Sequence, residues 1–125
     1  MTFKESIIRV FSKYATFSGR AGRNEYWYFF FFNLCVNLVF TVLERYFIPS
    51  IEYLASIYSI AVFIPILAVS VRRLHDIGKS GWYFLLNFIP IIGQVYLIIK
   101  MFQPGEPGEN QYGENPNEDS SIWRK

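Results

Sequence analysis

The sequence predicts an all-α membrane protein: a three-helix transmembrane bundle with an N-terminal interfacial amphipathic helix and a turn-rich polar C-terminal tail. Three observations predict it. Three blocks free of charged residues are each long enough to cross a bilayer. Residues 3–14 place apolar side chains at helical spacing with charged ones between them. The chain from residue 103 onward is polar and punctuated by turn dipeptides. At 125 residues the chain reads as a single domain, 1–125. Its mean hydropathy is only +0.20, because the polar ends dilute the apolar blocks, so distribution decides the class. A formal charge of +2 gives no footprint for nucleic acid.

The first element is the amphipathic helix, 3–14. Phe3, Ile7, Ile8, Val10, Phe11 and Tyr14 recur at helical spacing, with Lys4, Glu5, Arg9 and Lys13 between them. Thr2 followed by Glu5 three positions on forms a capping-box start. A short basic amphipathic helix beside a span either lies in the interface on anionic lipid or packs on the cytoplasmic ends of the spans, and both readings stay open.

The spans are expected at about 26–44, 53–71 and 82–100, around the uncharged blocks Trp27–Leu43, Tyr53–Val71 and Trp82–Ile99. A helix of roughly 17–25 apolar residues crosses a hydrocarbon core of about 30 Å. Tyr26-Trp27-Tyr28, Tyr46-Phe47, Tyr53 and Trp82-Tyr83 sit at block edges, where amphipathic rings favour the headgroup level. Pro65 lies within the second block and Pro90 within the third, shortly before Gly93. Proline removes an intrahelical hydrogen bond, so the third block is either a kinked span or a re-entrant hairpin turning at Pro90–Gly93. Orientation follows from the bases. Lys4, Arg9, Lys13, Arg20 and Arg23 precede the first block, and Arg72, Arg73 and Lys79 follow the second, whereas only Arg45 lies between the first two. The N-terminus is therefore expected in the cytoplasm, and three crossings would leave the C-terminus in the periplasm.

The tail, 103–125, carries Pro104-Gly105, Pro107-Gly108, Tyr112-Gly113 and Asn115-Pro116, with Glu106, Glu109, Glu114, Glu118 and Asp119 against Arg124 and Lys125. Within the blocks, Asn33, Asn37 and Thr41 stack on one helix face, and Asn87 and Gln94 are nearly aligned. Such amides are expected as packing residues between helices, the sharper alternative being a polar path for a solute. No charged residue sits at mid-membrane, which argues against an ion relay.

Two charge-dense motifs lie where spans meet the cytoplasm: Phe17-Ser18-Gly19-Arg20-Ala21-Gly22-Arg23-Asn24-Glu25-Tyr26-Trp27, and Arg72-Arg73-Leu74-His75-Asp76 continuing through Gly78, Ser80 and Gly81 to Trp82. With the tail stretch Gly105 to Pro116 and Pro90-Ile91-Ile92-Gly93, they closely resemble the bacterial YhaH-like inner-membrane family (DUF805). The resemblance covers Phe17 to Pro116, and four motifs in the right order make it specific. Asn24 departs from it, standing where a lysine is common. The resemblance implies a small multi-span protein of the bacterial inner membrane and carries no activity with it.

Arg20, Arg23, Glu25, Arg72, Arg73, His75, Asp76 and Lys79 form the candidate site at one membrane face. One reading is topological, with the bases fixing orientation and the two acids clamping helix ends. The other is a site for an anionic lipid headgroup or a phosphorylated ligand, since guanidinium groups bind phosphate bidentately. His75 beside Asp76 could act as a base, yet no serine or cysteine nucleophile is tied to it by the sequence. Gly78-Lys79-Ser80 ends like a phosphate loop but lacks the upstream glycine. The lone Cys35 excludes an internal disulfide and a cysteine zinc cage. The expectation is a protein that is not an enzyme, takes no cofactor or metal, sits in the lipid bilayer with anionic lipid, and oligomerises or accompanies a membrane partner. The alternative is a small transport or lipid-handling component.

Overall fold

The computed structural model describes residues 2–113 and is all-helical. The tail's Glu114, Asn115-Pro116, Glu118, Asp119, Arg124 and Lys125 lie outside the described residues. Helix α1 spans Phe3–Ser12 and is closed by the expected capping box: Glu5 N–H donates to the Thr2 hydroxyl, and Thr2 N–H to the Glu5 carboxylate. These bonds hold the exposed Glu5 carboxyl below the ordinary glutamate range. The helix buries Ser6 and Val10, one turn apart, against the start of α2 and the middle of α3. Phe3 meets Tyr28 edge-on at 5.6 Å, and Phe11 meets Phe29 at 5.5 Å. Helix α1 thus packs along α2 and α3.

Helices α2, Arg23–Tyr46, and α3, Ile51–Asp76, form an antiparallel pair joined by a short turn. At 1.5 Å per residue they run roughly 36 and 39 Å, enough to cross a hydrocarbon core. Most of their apolar length faces outward rather than into a core: Phe30, Phe31, Leu34, Leu38 and Val39 on α2, and Leu54, Ile57, Ile60 and Phe63 on α3, are all exposed. A core helix of a water-soluble protein would be mostly buried, whereas these surfaces suit lipid.

Pro65 does not break α3, which continues through it. Lacking an N–H, Pro65 leaves the Ala61 carbonyl four residues earlier without its intrahelical donor. The Tyr14 hydroxyl donates to that carbonyl. The segment following α1 thus repairs the helix at the position where proline disrupts it.

The third block, 82–100, is not one continuous helix. It is two short pieces, a 3-10 segment, Gly81–Phe88, and helix α4, Ile92–Phe102, folded against each other. The break has three local causes. Pro90 cannot donate to the helical ladder. Ile91 adopts a left-handed backbone with φ 66°. Gly93 sits so close to the 3-10 segment that a side chain there would meet the Leu86 carbonyl. The Gln94 side chain donates to the Asn87 carbonyl at 3.3 Å and ties the two arms. As a result α4 ends beside the start of α2: Trp27 Nε1 donates to the Met101 carbonyl at 2.9 Å, and Arg23 to the Phe102 carbonyl at 2.9 Å.

Candidate functional site

The start of α2, the end of α3, the end of α4 and the tail loop 103–113 converge at one end of the molecule. Arg72 and Arg73 occupy the last turn and a half of α3, and Asp76 closes it, so three charged groups are delivered side by side. Arg20 arrives from the segment before α2, which is pinned to α3 by the Ala21 N–H donating to the Arg72 carbonyl at 3.0 Å. Glu25 enters from the first turn of α2.

Within this convergence two ion clusters form. Asp76 is shared between two arginines: Arg73 Nη1 meets Oδ2 at 2.5 Å and Arg20 Nε meets Oδ1 at 3.0 Å. Separately, Arg72 Nη1 meets Glu25 Oε2 at 2.7 Å. The Arg73 and Asp76 side chains are 0% exposed, and Arg72 and Glu25 side chains 1%. Charges this deeply buried are tolerable only when paired and hydrogen-bonded. Glu25 Oε1, Arg72 Nη2 and Arg73 Nε nevertheless have no hydrogen-bond partner among the described residues.

The remaining donors go to main chain. Arg73 Nη2 donates to the carbonyls of Met101, at 3.0 Å, and Gln103. These lie at the C-terminal end of α4, where carbonyls lack helical partners and the helix dipole is negative. Arg20 Nη1 donates to the Gly108 carbonyl at 2.8 Å and the Gly113 carbonyl at 3.3 Å, and Nη2 to the Glu106 carbonyl at 2.7 Å and the Asp76 carbonyl at 3.1 Å. With its Nε on Asp76, all five Arg20 N–H groups are engaged. Gly105 has no room for a side chain because the Asp76 carboxylate lies against it.

His75 sits at the edge of this cluster. Its Nδ1 donates to the Gly19 carbonyl at 2.9 Å, and its ring stacks on Tyr112 at 3.9 Å with 2° between planes. Asn110 Nδ2 donates to the His75 carbonyl at 2.9 Å and to Glu106 Oε1 at 2.8 Å, closing the tail loop over the end of α3. Among the described residues no group of three His, Cys, Asp or Glu side chains is placed to hold a metal.

Of the expected site residues, the structure therefore joins Arg20, Arg73, Asp76 and His75 to the tail, and Arg72 to Glu25. Arg23 is exposed and among the described residues reaches only the Phe102 carbonyl, and Lys79 lies apart, 5.6 Å over the Tyr83 ring. The four expected packing amides divide. Asn33 accepts from the Tyr58 hydroxyl of α3 at 2.8 Å, joining the two long helices. Asn37 donates to the Asn33 carbonyl of its own helix, Asn87 to the Phe84 carbonyl, and Gln94 joins the arms of the hairpin. The sequence reading missed the acceptors, since carbonyls of residues 101–113 carry no side-chain signature. The recurrence of Gly and Pro in that stretch was the available signal.

A family described as "Protein of unknown function (DUF805)" matches residues 14–114. Inner membrane protein YhaI of Escherichia coli (strain K12) is 39% identical over 109 residues, 87% of this chain and 92% of that protein. Inner membrane protein YhaH of the same organism is 40% identical over 113 residues, 87% of this chain and 93% of that protein. No solved structure matches the chain.

Proposed function

The chain belongs to the DUF805 family, as an inner-membrane protein, and on that premise we propose a non-enzymatic component that works by pairing with another membrane helix, in the first place a second copy of itself. In this reading α2 and α3 cross the bilayer, and the hairpin of the 3-10 segment and α4 enters and leaves it on one side. The bases at the clamped end, Arg20, Arg23, Arg72, Arg73, Lys79 and Lys100, set that side in the cytoplasm by the positive-inside rule. The tail then emerges in the cytoplasm with the N-terminus, in place of the periplasmic exit that three crossings would give.

The buried arginines act in this reading as a clamp that holds the hairpin and tail onto α2 and α3. The engagement of every Arg20 donor supports the clamp over an anion site at Arg20. The observation that carries the pairing is Asn37. It lies in the middle of α2, is exposed, and among the described residues hydrogen-bonds only within its own helix, as does Thr41 one turn later. An amide facing hydrocarbon gains by meeting a group on a neighbouring helix, by about 0.6–2 kcal/mol. Cysteine crosslinking in native membranes tests the reading, in a Cys35→Ser background. Thr41→Cys should give a covalent dimer with a short bifunctional maleimide, and Val39→Cys, on the other face of α2, should not. Monomer alone from Thr41→Cys would sink the proposal.

A further inference from the structure

Between the start of α2 and the hairpin lies a cleft of ≈ 470 Å³. Trp27 and Phe30 form one wall and Phe84 and Leu97 the other, with Asn87 and Gln94 as its polar points. A mostly apolar concavity of this size with a few convergent polar groups has the make-up of a small-molecule site. Its mouth opens sideways, away from the clamped end, where the lining residues Phe30, Gln94 and Ile98 are exposed. A ligand entering there comes from the bilayer, which points to an acyl chain.

The rim supplies the rest of the recognition. Phe102 stacks on Trp27 at 4.2 Å and closes the cleft at the clamped end. The Arg23 guanidinium is fixed there by donating Nη1 to the Phe102 carbonyl at 2.9 Å, its single hydrogen bond among the described residues. Unlike Arg20, it is exposed, and among the described residues no acceptor meets its remaining N–H groups. An arginine at the headgroup level above an apolar cleft matches a phosphodiester joined to an acyl chain.

We propose that this cleft binds one anionic phospholipid, with an acyl chain between Trp27, Phe30 and the hairpin and its phosphate on Arg23. This moves anion recognition from the buried Arg20 and Arg73, whose hydrogen bonds serve the clamp, to the exposed arginine beside them. The cleft is built within one chain, so binding is independent of self-association.

Native mass spectrometry of the full chain, released from detergent with equal amounts of dioleoyl phosphatidylglycerol and dioleoyl phosphatidylcholine, tests it. The unaltered chain should retain one phosphatidylglycerol in preference to phosphatidylcholine. Arg23→Gln should lower that preference about tenfold, the equivalent of one charge-assisted hydrogen bond. Arg23→Lys should restore most of it, and Lys4→Gln, an exposed base on α1, should leave it unchanged. Gln94→Phe, which fills the mouth, should reduce retention of both lipids. The proposal is overturned if Arg23→Gln keeps the preference, if Lys4→Gln loses as much, if inorganic phosphate displaces the lipid, or if Gln94→Cys crosslinks two chains through the cleft.

Discussion

Replacing Tyr14 with phenylalanine removes one hydroxyl and leaves the ring, so its effect isolates the bond to the Ala61 carbonyl. That carbonyl has no helical donor because residue 65 is proline. In water a solvent molecule would fill the gap. In the hydrocarbon region, where the proposed crossing of α3 places it, nothing does, and an orphaned carbonyl costs at least the ~1–3 kcal/mol of an unsatisfied buried acceptor. Tyr14→Phe should therefore destabilise the fold by about 2 kcal/mol. The same change in a Pro65→Ala background should cost about 0.5 kcal/mol or less, because an alanine in place of the proline supplies the missing N–H to Ala61. The cycle is read by titrating purified protein from mild detergent into dodecyl sulfate and following helical circular dichroism. The expected coupling is about 1.5 kcal/mol, well outside the scatter for independent sites. Equal losses in the two backgrounds would refute the argument, because they would mean that Tyr14 stabilises through packing and not by repairing α3.

Four further outcomes follow from the same geometry. A fluorescent protein fused to the C-terminus should fluoresce and an alkaline phosphatase fused there should be inactive, as a cytoplasmic tail requires; the reverse pattern would restore the third crossing. Arg73→Met should cost about 3 kcal/mol, by unpairing part of Asp76 and stranding the Met101 and Gln103 carbonyls. It should also expose the tail loop to limited proteolysis before the long helices are cut. Gly93→Leu should separate the arms of the hairpin, since the Leu86 carbonyl leaves no space for a side chain, and should be seen as faster amide exchange in α4. Below the ordinary glutamate range, the cap of α1 should fray. The Glu5 carboxyl is held low by its bonds with Thr2, so its contribution is present above the unfolded pKa and fades as pH falls through the lowered value. First-turn amide protection, corrected for intrinsic exchange, should fall with pH in the natural chain but not in Glu5→Gln.

The two long helices were legible because hydrophobic length without charge is a signal that single residues cannot disguise. Residues 27–43 and 53–71 both lie inside the observed helices. Block three carried the same length signal, and there length did not decide between one helix and the two short pieces observed. Whether proline and glycine kink a helix or end it depends on what the two halves can pack against, which lies elsewhere in the chain. The charged site was legible as a set of residues at one end. It was not legible as a division of labour, since nothing local separates Arg20, with five protein hydrogen-bond donors engaged, from Arg23, with one. The same holds for the amides: Asn33 and Asn37 share a helix face, yet only Asn33 meets α3.

The hairpin and the clamp explain each other. A block as apolar as residues 82–99 could cross the bilayer, and Pro90 alone would only kink it, as Pro65 leaves α3 continuous. The difference lies at the C-terminal end of α4. There the carbonyls of Met101, Phe102 and Gln103 receive donors from Trp27, Arg23 and Arg73, all fixed at the end where α2 begins and α3 finishes. A crossing helix would carry those carbonyls to the opposite face, away from all three donors, and would leave Arg73 buried against Asp76 without its main-chain acceptors. Arg20 adds to the bias by collecting the carbonyls of the tail that follows. The buried arginines, read from the sequence chiefly as topology markers, also bind the backbone of the segment whose path is in question, which supports the proposed hairpin.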